Sequence, residues 1–566
     1  MLATTCGFKS HLPHNQKLAE YVGELFSKEK TMSKNNSKSK KKSKKEIEEF
    51  KYRKNRPIDI VITMFIAYVV TVYTLYMNNK YFNITGTRAL TFAYGAGIFI
   101  ILLISAYIIE YSILSYYGES EIKIYKDSKL FAMPEIWAFG FLIANYMAYI
   151  LAASPVKKAA MLGTNGRDMG LGMMLVLTIT FIVLSRQAYT HPFVFILFFI
   201  SSGIAYVTGV LQHFGLDPFY LRERVAEKQK EMFISMFGNI NTFGVYICIA
   251  IPFAAALFIL SEKRWVRVIA AVNLLLGSTS IITAKSDNVY LGLFTGFILL
   301  LYVSIYYKKL TEYLLSIMII LFGLTVLAFM NKALSGSQKH INGLALIIEN
   351  PKVMTVISIA FVIVLAGAIA FRTINIEKYK EIQNTKFLIG LTIFFILSGI
   401  IVVVIGVKTG SEFFVFDDKW GTFRGYIWRR SFDLFKRGSL KQKLFGYGNE
   451  SVNYYMTRYY YDEMVRITKR QYDNCHNEYL QYLVTTGLFG FVTYVGMIIT
   501  GLVYMVKRIK GNALIAACAA GSIAYMTAGI VSLNTPITTP YFFVIMALGI
   551  GYARYRDQKY GVFSDK

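Results

Sequence analysis

The sequence predicts an all-α polytopic membrane protein with about 14 transmembrane helices and a large extracytoplasmic loop that contains short helices. Of its 566 residues, 55% are hydrophobic and only 17% are charged. The chain also contains many apolar runs of about 20 residues, the length that a helix needs to cross a bilayer core of about 30 Å. Backbone polar groups in hydrocarbon must bond internally, so these runs are expected to be helices. This pattern excludes most classes of soluble protein.

Fourteen apolar runs meet the hydropathy criterion. They are 57–77, 89–113, 132–152, 169–186, 191–211, 242–260, 265–284, 287–306, 312–330, 353–371, 387–407, 478–506, 512–532 and 536–553.

The charges predict how these spans are oriented. The chain has 61 Lys and Arg against 34 Asp and Glu, and 15 of the basic residues lie in residues 1–56. Basic residues near spans mark the cytoplasmic side, so both termini are expected to be cytoplasmic and segments 212–238 and 408–475 to lie outside. The lysine tract of the tail has no interleaved aromatic residues, which favours orientation and attraction to anionic membrane lipid over nucleic-acid binding.

This topology divides the chain into five parts. They are a basic disordered cytoplasmic tail (1–56), membrane helices 1–11 (57–407), an extracytoplasmic loop (408–475), membrane helices 12–14 (476–553) and a second cytoplasmic tail (554–566).

The loop 408–475 contains an arginine and aromatic residues at helical spacing. Trp428, Phe432 and Phe435 follow one another at i, i+4 and i+7, with Arg424 one turn earlier. An arginine beside an aromatic platform suits a bidentate grip on phosphate or carboxylate. The alternative is an interfacial helix with ordinary solvated arginines.

A histidine stands where this loop meets the next apolar run. We expect Asp473 or Asn474 to cap the helix that follows, which places His476 in its first turn, with Asn477 as a further candidate for substrate binding. The helix N-terminus would lower the pKa of His476, so that its neutral ring could take a proton from a hydroxyl. The alternative is a histidine that merely bonds the loop.

Two other segments supply candidate polar ligands. Residues 217–236 have mixed charges that predict a surface helix, and the turn after it offers the amides of Asn239 and Asn241 to sugar hydroxyls. Lys285 and Ser286 belong to a polar strip at a membrane edge. A simple capped turn, and hydroxyls that bond their own helix, are the alternatives. No cluster of His, Cys or carboxylates has metal-ligand spacing, so no metal or other cofactor is expected.

Four pieces of the sequence together resemble the O-antigen ligase/polymerase family of bacterial envelope proteins, which includes Wzy-type polymerases and lipopolysaccharide O-antigen ligases. They occur in the family's order and are F-G-N-I-N-T-F-G (237–244), K-S-D-N-V-Y-L-G (285–292), R-G-Y-I-W (424–428) with F-G-Y-G (445–448), and H-N-E-Y-L-Q-Y-L-V-T-T-G (476–487). The histidine motif after a long outer loop is the most specific of them.

The resemblance implies a metal-independent, inverting glycosyltransferase of the bacterial cytoplasmic membrane that acts in polysaccharide biosynthesis. Its donor would be a glycan on undecaprenyl diphosphate, and its acceptor another glycan or a cell-envelope molecule. By match, His476 would activate the acceptor hydroxyl, Arg424 would bind the diphosphate, and Arg222 or Arg224 would be the second arginine of the family. Lys285 is the nearest cation where many ligases have Ser-Arg and this chain has Ser286-Asp287. Other polysaccharide-assembly membrane proteins would be further partners.

A flippase for lipid-linked oligosaccharides, or another secondary transporter, is the alternative function. Fourteen spans suit such a protein. Against it stand the long basic outer loop and the lack of two similar halves, which transporters often show.

Overall fold

The computed structural model describes residues 56–116, 133–164, 166–186, 188–334, 348–410 and 414–560. The predicted cytoplasmic tails lie outside these residues, except for Arg56 and 554–560. Contacts divide the chain into two units. Of the first unit, Arg56, Pro57 and 107–116 are described, and Arg56 Nη1 lies 3.3 Å from Glu110 Oε1. The second unit comprises residues 58–106 and 123–566.

Helices occupy the positions of all fourteen apolar runs. Numbered in chain order, the described helices are α1 Pro57–Tyr68 (continued by a π-helical turn, Val69–Tyr73), α2 Ile84–Tyr116, α3 Pro134–Leu151, α4 Lys157–Leu162, α5 Leu171–Arg186, α6 Phe193–His213, α7 Ile240–Leu260, α8 Arg264–Thr283, α9 Asn288–Tyr306, α10 Leu310–Ala333, α11 Pro351–Ile374, α12 Ile376–Ile382, α13 Thr385–Lys408, α14 Trp420–Arg437, α15 Leu440–Phe445, α16 Val452–Thr468, α17 Glu478–Thr485, α18 Gly487–Arg508, α19 Ala513–Ala528 and α20 Thr539–Tyr560.

Within the described ranges, nine of these helices are long and apolar enough to cross a membrane. Three further apolar helices are shorter. The prediction of an all-α polytopic membrane protein is therefore confirmed, and the loop 408–475 contains three helices, α14, α15 and α16.

Side chains in the connecting segments mark where several helices begin. The side chain of Asn350 accepts the N–H of Lys352 at 3.0 Å at the start of α11, whose first residue is Pro351. Asn512 accepts the N–H of Leu514 at 3.0 Å at the start of α19. Asparagine caps and a proline in the first turn are strong local signals for a helix start. The first N–H groups of a helix have no partner within it; the asparagine side chain accepts one of them, and proline has no N–H to satisfy.

The burial of the helices separates a core from a periphery. Helix α7 is buried along its whole apolar window, and it packs against α8, α9 and α19. Helix α13 has no buried residue in its apolar window, although it has the highest mean hydropathy of the nine candidate spans. An apolar surface of this extent requires apolar surroundings, as a lipid bilayer provides.

One predicted span is broken. The run 478–506 forms two helices, α17 and α18, that are separated at Thr486. Gly487 has a φ of 70°, a left-handed conformation that favours glycine, and a Cβ at this position would meet the backbone of Leu444. Tyr447 N–H donates to Val484 O at 3.1 Å and Gly448 N–H to Thr485 O at 2.9 Å. The F-G-Y-G turn thus satisfies carbonyl groups at the end of α17 that would otherwise lack partners.

Segments that the predicted alternation assigns to one side contact one another. Arg508 is the last residue of α18 and follows the predicted run 478–506 at its inner end. Its Nε lies 3.0 Å from Asp557 Oδ2. On the opposite side, Lys80 pairs with Glu223 of the segment 212–238. Each of these two contacts joins segments that the prediction places on the same side.

The prediction of a surface helix over 217–236 is wrong. This segment consists of turns, a 3₁₀ helix over Glu227–Met232, and a strand, β1 (Phe233–Ile234), that pairs antiparallel with β2 (Gly238–Asn239). The Asp217 carboxylate accepts the N–H of Arg222 at 2.8 Å, and the Arg222 guanidinium donates to the carbonyl oxygen of Phe233 at 2.9 and 2.7 Å. Side chains that bond nearby backbone groups compete with helix formation, which explains the difference.

Candidate functional site

His476 lies in the turn immediately before helix α17, and not in its first turn as predicted. Asn477 is the residue that caps this helix, because its side chain accepts the N–H of Leu480 at 3.0 Å. Asn474 instead accepts the N–H of His476 at 2.8 Å. His476 has a φ of 45°, a conformation that is unfavourable for a residue with a Cβ. Two neighbouring asparagines therefore fix the position of this histidine on a strained turn.

The surroundings of His476 keep its ring uncharged. Burial lowers its pKa to about 4, and the charges of Arg424 and Arg167 act in the same direction against the opposing carboxylate of Asp473. Among the described residues, none hydrogen-bonds a ring nitrogen of His476, and the ring meets Tyr472 edge-on with 5.6 Å between the centroids. The neutral ring agrees with the prediction, although burial and two arginines lower the pKa where the helix N-terminus was expected to do so. A neutral imidazole is able to accept a proton.

Arg424 is the first regular residue of α14, after a left-handed turn over Gly421–Phe423. Its Nη1 donates to the carbonyl oxygen of Gly421 at 2.8 Å, whereas its buried Nε has no partner in the described part of the chain. Burial lowers the pKa of Arg424, and the nearby Asp287 and Tyr472 oppose this effect. Tyr472 is thus a shared neighbour of Arg424 and His476, so the structure brings the two predicted residues together.

Trp428 does not form an isolated platform beside Arg424. Its ring packs with those of Trp420 and Phe416, at centroid distances of 5.2 and 6.1 Å. The buried face of α14 is formed by other residues, among them Ile427 and Leu434, and it packs on α16 and α17. The face that carries Phe432 remains largely exposed.

The candidate amides of 237–244 bond to the polar strip at 285–288. Asn239 caps α7 by accepting the N–H of Asn241 at 2.8 Å. The Ser286 hydroxyl lies 2.6 Å from Asn241 Oδ1 and 2.8 Å from Asn288 Oδ1, and Asn288 Nδ2 donates to the carbonyl oxygen of Asn241 at 3.3 Å. A Cβ at Gly244 would meet Asn288. Two of the four sequence pieces therefore form one hydrogen-bonded unit, and the charge of Asp287 in that unit acts on Arg424.

The remaining cationic candidates differ in the groups that lie around them. The Arg222 guanidinium donates to carbonyl oxygens of Phe233 and Gln212, so it supports the backbone of its own segment. Arg224 is exposed and contacts the side chain of Asn79. Lys285 has a φ of 49° and lies, like Arg222, close to the ring of His213.

The structure adds Arg167 and Glu450, which the sequence did not single out, and gives Asp473, predicted only as a possible helix cap, an ion-pair partner. Arg167 donates to both carboxylate oxygens of Asp473, with Nε–Oδ2 at 3.0 Å and Nη2–Oδ1 at 2.7 Å. The pKa of Asp473 falls because Arg167 outweighs the effect of burial. The buried Glu450 carboxyl lies near this pair, and burial raises its pKa to about 7. The available signal was a lone arginine between the glycines of G-T-N-G-R-D-M-G (163–170), in a segment predicted to lie outside.

Arg88 was also missed. It is fully buried in the first turns of α2, and its Nη2 donates to the carbonyl oxygens of Met236 at 2.7 Å and Thr74 at 2.8 Å. It thereby anchors the residue just before F-G-N-I-N-T-F-G.

Comparison with known protein families gives one match to this site. A family model described as O-antigen ligase matches residues 352–495, which include Arg424, Glu450, Asp473 and His476. The pieces 237–244 and 285–292 lie outside the matched range. No curated protein matches the chain.

Proposed function

We propose that this chain, which carries an O-antigen ligase domain over residues 352–495, transfers a glycan from undecaprenyl diphosphate to an acceptor hydroxyl. The domain match and the apolar helices support a ligase- or polymerase-like role in polysaccharide biosynthesis at the bacterial inner membrane. The finer proposal places the reaction at the outer face of the cytoplasmic membrane, with both termini cytoplasmic. The observation that carries it is a neutral His476 on which the charge of Arg424 acts, with the Tyr472 ring edge-on to the His476 ring.

Arg424 is proposed to bind the diphosphate of the donor. Its buried Nε has no partner among the described residues, and it forms no ion pair there, so much of its bonding capacity remains for an anion. The bond from the sugar C1 to the diphosphate oxygen breaks with the electron pair going to the diphosphate. A guanidinium in a partly dry site stabilises that growing charge. No metal has a part in this proposal.

His476 is proposed to act as general base. Its neutral ring takes the proton of the acceptor hydroxyl while the hydroxyl oxygen attacks C1 from the side opposite the diphosphate, which inverts the configuration. A pKa of about 4 makes the free ring a weak base. A bound diphosphate would offset the charge of Arg424 and raise this pKa, so the base becomes stronger once the donor is in place.

The other candidate residues are proposed to support this pair. Asn477 caps α17 and fixes the backbone after His476. Asn239 caps α7, and Asn241 and Ser286 hold the two membrane-entrance segments together. Lys285 adds positive charge that attracts the donor, as do Arg222 and Arg224 on the neighbouring segment. Trp428 packs against the ring of Trp420 at the start of α14.

Transfer by purified protein is the direct test. The full chain is reconstituted in liposomes with lipid-linked repeat units, in EDTA and without nucleotide. A ladder of lengthened glycans identifies a polymerase, and a single transfer to a different acceptor identifies a ligase. His476→Ala should lower the rate by about 10²- to 10⁴-fold, and Arg424→Ala by about 10²- to 10³-fold.

Arg429→Ala is the matched control, because Arg429 is an exposed arginine of the same helix that pairs with Asp418. It should retain the wild-type rate. Normal glycan transfer by a well-folded His476→Ala variant would refute the proposal. Accumulation of lipid-linked units on the cytoplasmic face in cells with this variant would instead support transport.

A further inference from the structure

A cleft of about 440 Å³ lies between the segment 155–164 and helix α16. Its volume is within the range of about 300–1,000 Å³ that is typical of small-molecule sites. Both of its walls belong to segments that the topology predicts on the side of the loop 408–475. We call it the Tyr454 cleft, after the aromatic residue on its α16 wall.

One part of the Tyr454 cleft is apolar. Pro155, Val156 and Ala159 line it from one segment, and the Tyr454 ring from the other. Tyr454 also packs against the buried cluster that includes Val156. A flat apolar surface of this kind suits the face of a pyranose ring, whose C–H groups are apolar.

The other part of the cleft offers hydrogen-bonding groups. Gln471 Nε2 donates to Thr457 Oγ1 at 2.8 Å and to Asn453 Oδ1 at 3.2 Å, which holds the three side chains in one network. An amide has two donor hydrogens and a carbonyl oxygen, so this network has free capacity at the cleft surface. Amides and hydroxyls beside an aromatic ring match the hydroxyl edge and the apolar face of a sugar.

The floor of the cleft adjoins the proposed reaction centre. Glu450 lines the cleft and lies near Arg167 and Asp473, whose charges also act on His476. Gln471 lines it two residues before Asp473. The cleft is therefore linked, through Glu450, to Arg167 and Asp473, the two charges that act on His476.

The donor is expected at Arg424. The charged neighbours of Arg424 are Asp287 and Tyr472, whereas those of Arg167 are Asp473 and Glu450. In an inverting displacement the acceptor oxygen approaches from the side opposite the leaving diphosphate. The acceptor sugar therefore needs a place apart from the donor at Arg424, and the cleft beside Glu450 offers one.

We propose that the Tyr454 cleft binds a sugar residue of the acceptor glycan and so directs its free hydroxyl to His476. This inference rests on the proposed glycosyl transfer and adds the acceptor side of the same site. Tyr454 stacks on the sugar ring, and Asn453 and Gln471 bond its hydroxyls.

Binding without chemistry tests this inference. The probe is a set of oligosaccharides released by mild acid from the surface polysaccharide of cells that contain the protein, so they carry no lipid and no diphosphate. Saturation-transfer NMR with the full chain in nanodiscs measures their affinity. Tyr454→Ala should weaken binding about tenfold, and the exposed Gln471→Ala should weaken it severalfold. Tyr461→Ala is the matched control, since Tyr461 is an exposed tyrosine of α16 outside the cleft.

Kinetics add a second readout. In the transfer assay Tyr454→Ala and Gln471→Ala should raise the KM for the acceptor and leave the KM for the lipid-linked donor unchanged. His476→Ala should bind the oligosaccharides as the wild type does, although it transfers nothing.

The outcomes separate the two proposals. Equal oligosaccharide affinity in the wild type, Tyr454→Ala and Gln471→Ala overturns the cleft assignment, even if transfer is normal. So does a photoreactive residue at position 454 that crosslinks to phospholipid or polyprenyl chains and not to the oligosaccharide. Binding that depends on the cleft, in a protein that never transfers glycan from the lipid-linked donor, overturns the proposed reaction and leaves the sugar site standing.

Discussion

Arg167 and Asp473 are 306 positions apart in the chain and are joined by two hydrogen bonds, of 3.0 and 2.7 Å. The pair connects the turn between α4 and α5 to the residues just before His476. Bidentate pairs fix orientation as well as distance. Both partners also act on the charge state of His476, in opposite directions.

Loss of Arg167 should shift the pH dependence of transfer. Without its positive charge the protonated form of His476 is less disfavoured, so the pKa rises above about 4. Because the neutral ring is the base, kcat/KM falls as the pH drops through this pKa. Arg167→Met should therefore move the acidic limb of the kcat/KM profile to higher pH, measured as initial rates in liposomes.

Asp473→Asn should move the same limb to lower pH, since the carboxylate that favours protonated His476 is then absent. Arg429→Met serves as the control and should leave the limb in place. Identical acidic limbs in all variants would show that these charges do not affect the pKa of His476.

Donor binding should itself raise the pKa of His476. If the diphosphate neutralises Arg424, the pKa of His476 is higher in the enzyme–donor complex than in the free enzyme. The profile of kcat/KM reports the free enzyme and that of kcat reports the complex. The acidic limb of kcat should therefore lie at higher pH than that of kcat/KM, and this separation should shrink in a slow but active Arg424→Lys variant. Coincident limbs in the wild type would argue against a diphosphate at Arg424.

Gly487→Ala should destabilise the protein. The left-handed φ and the close backbone of Leu444 leave no room for a Cβ, so at least ~2 kcal/mol of stability should be lost. We expect a melting temperature several degrees lower in detergent, with a loss of transfer because α17 and the F-G-Y-G turn shift. Gly399→Ala is the control, because no atom lies within 4 Å of a Cβ there, and it should melt as the wild type or higher. Equal melting temperatures for both variants would contradict this account of the break.

The sequence predicted the fold more fully than the site. Long apolar runs such as 242–260 and 387–407 predict helices, because in hydrocarbon the backbone N–H and C=O groups of a segment must bond to one another. The break at Thr486 was not predictable, since the run stays apolar and the cause is the distant backbone of Leu444. The pairing of His476 with Arg424 came from a family resemblance. The glycine-rich segment around Arg167 does not reveal its partner, because Asp473 follows 306 positions later.

Glu450 should make stability depend on pH. Its pKa is about 7 in the folded protein and 4.5 by reference, mainly because burial disfavours the charged form. The folded state then binds more protons between these values, so stability falls as the pH rises through this window. The loss is at most about 3 kcal/mol. Glu450→Gln should therefore raise the melting temperature at pH 8 relative to the wild type, with little difference at pH 4.

A glutamine variant that melts like the wild type at pH 8 would show that the carboxyl is not desolvated. Glu463→Gln provides the comparison at a more exposed carboxylate, which pairs with Arg430. It should show no such rise at pH 8.

The contact of the F-G-Y-G turn with α17 has a consequence for how substrates enter. Tyr447 and Gly448 donate their amide hydrogens to Val484 and Thr485, so these two amides should exchange slowly with deuterium. The C-terminal end of α17, the helix that begins just after His476, is then preorganised, and little conformational entropy is lost there when a glycan binds. Selection among glycans would depend on the fit to an existing surface, and lid closure over the bound sugar would not be needed.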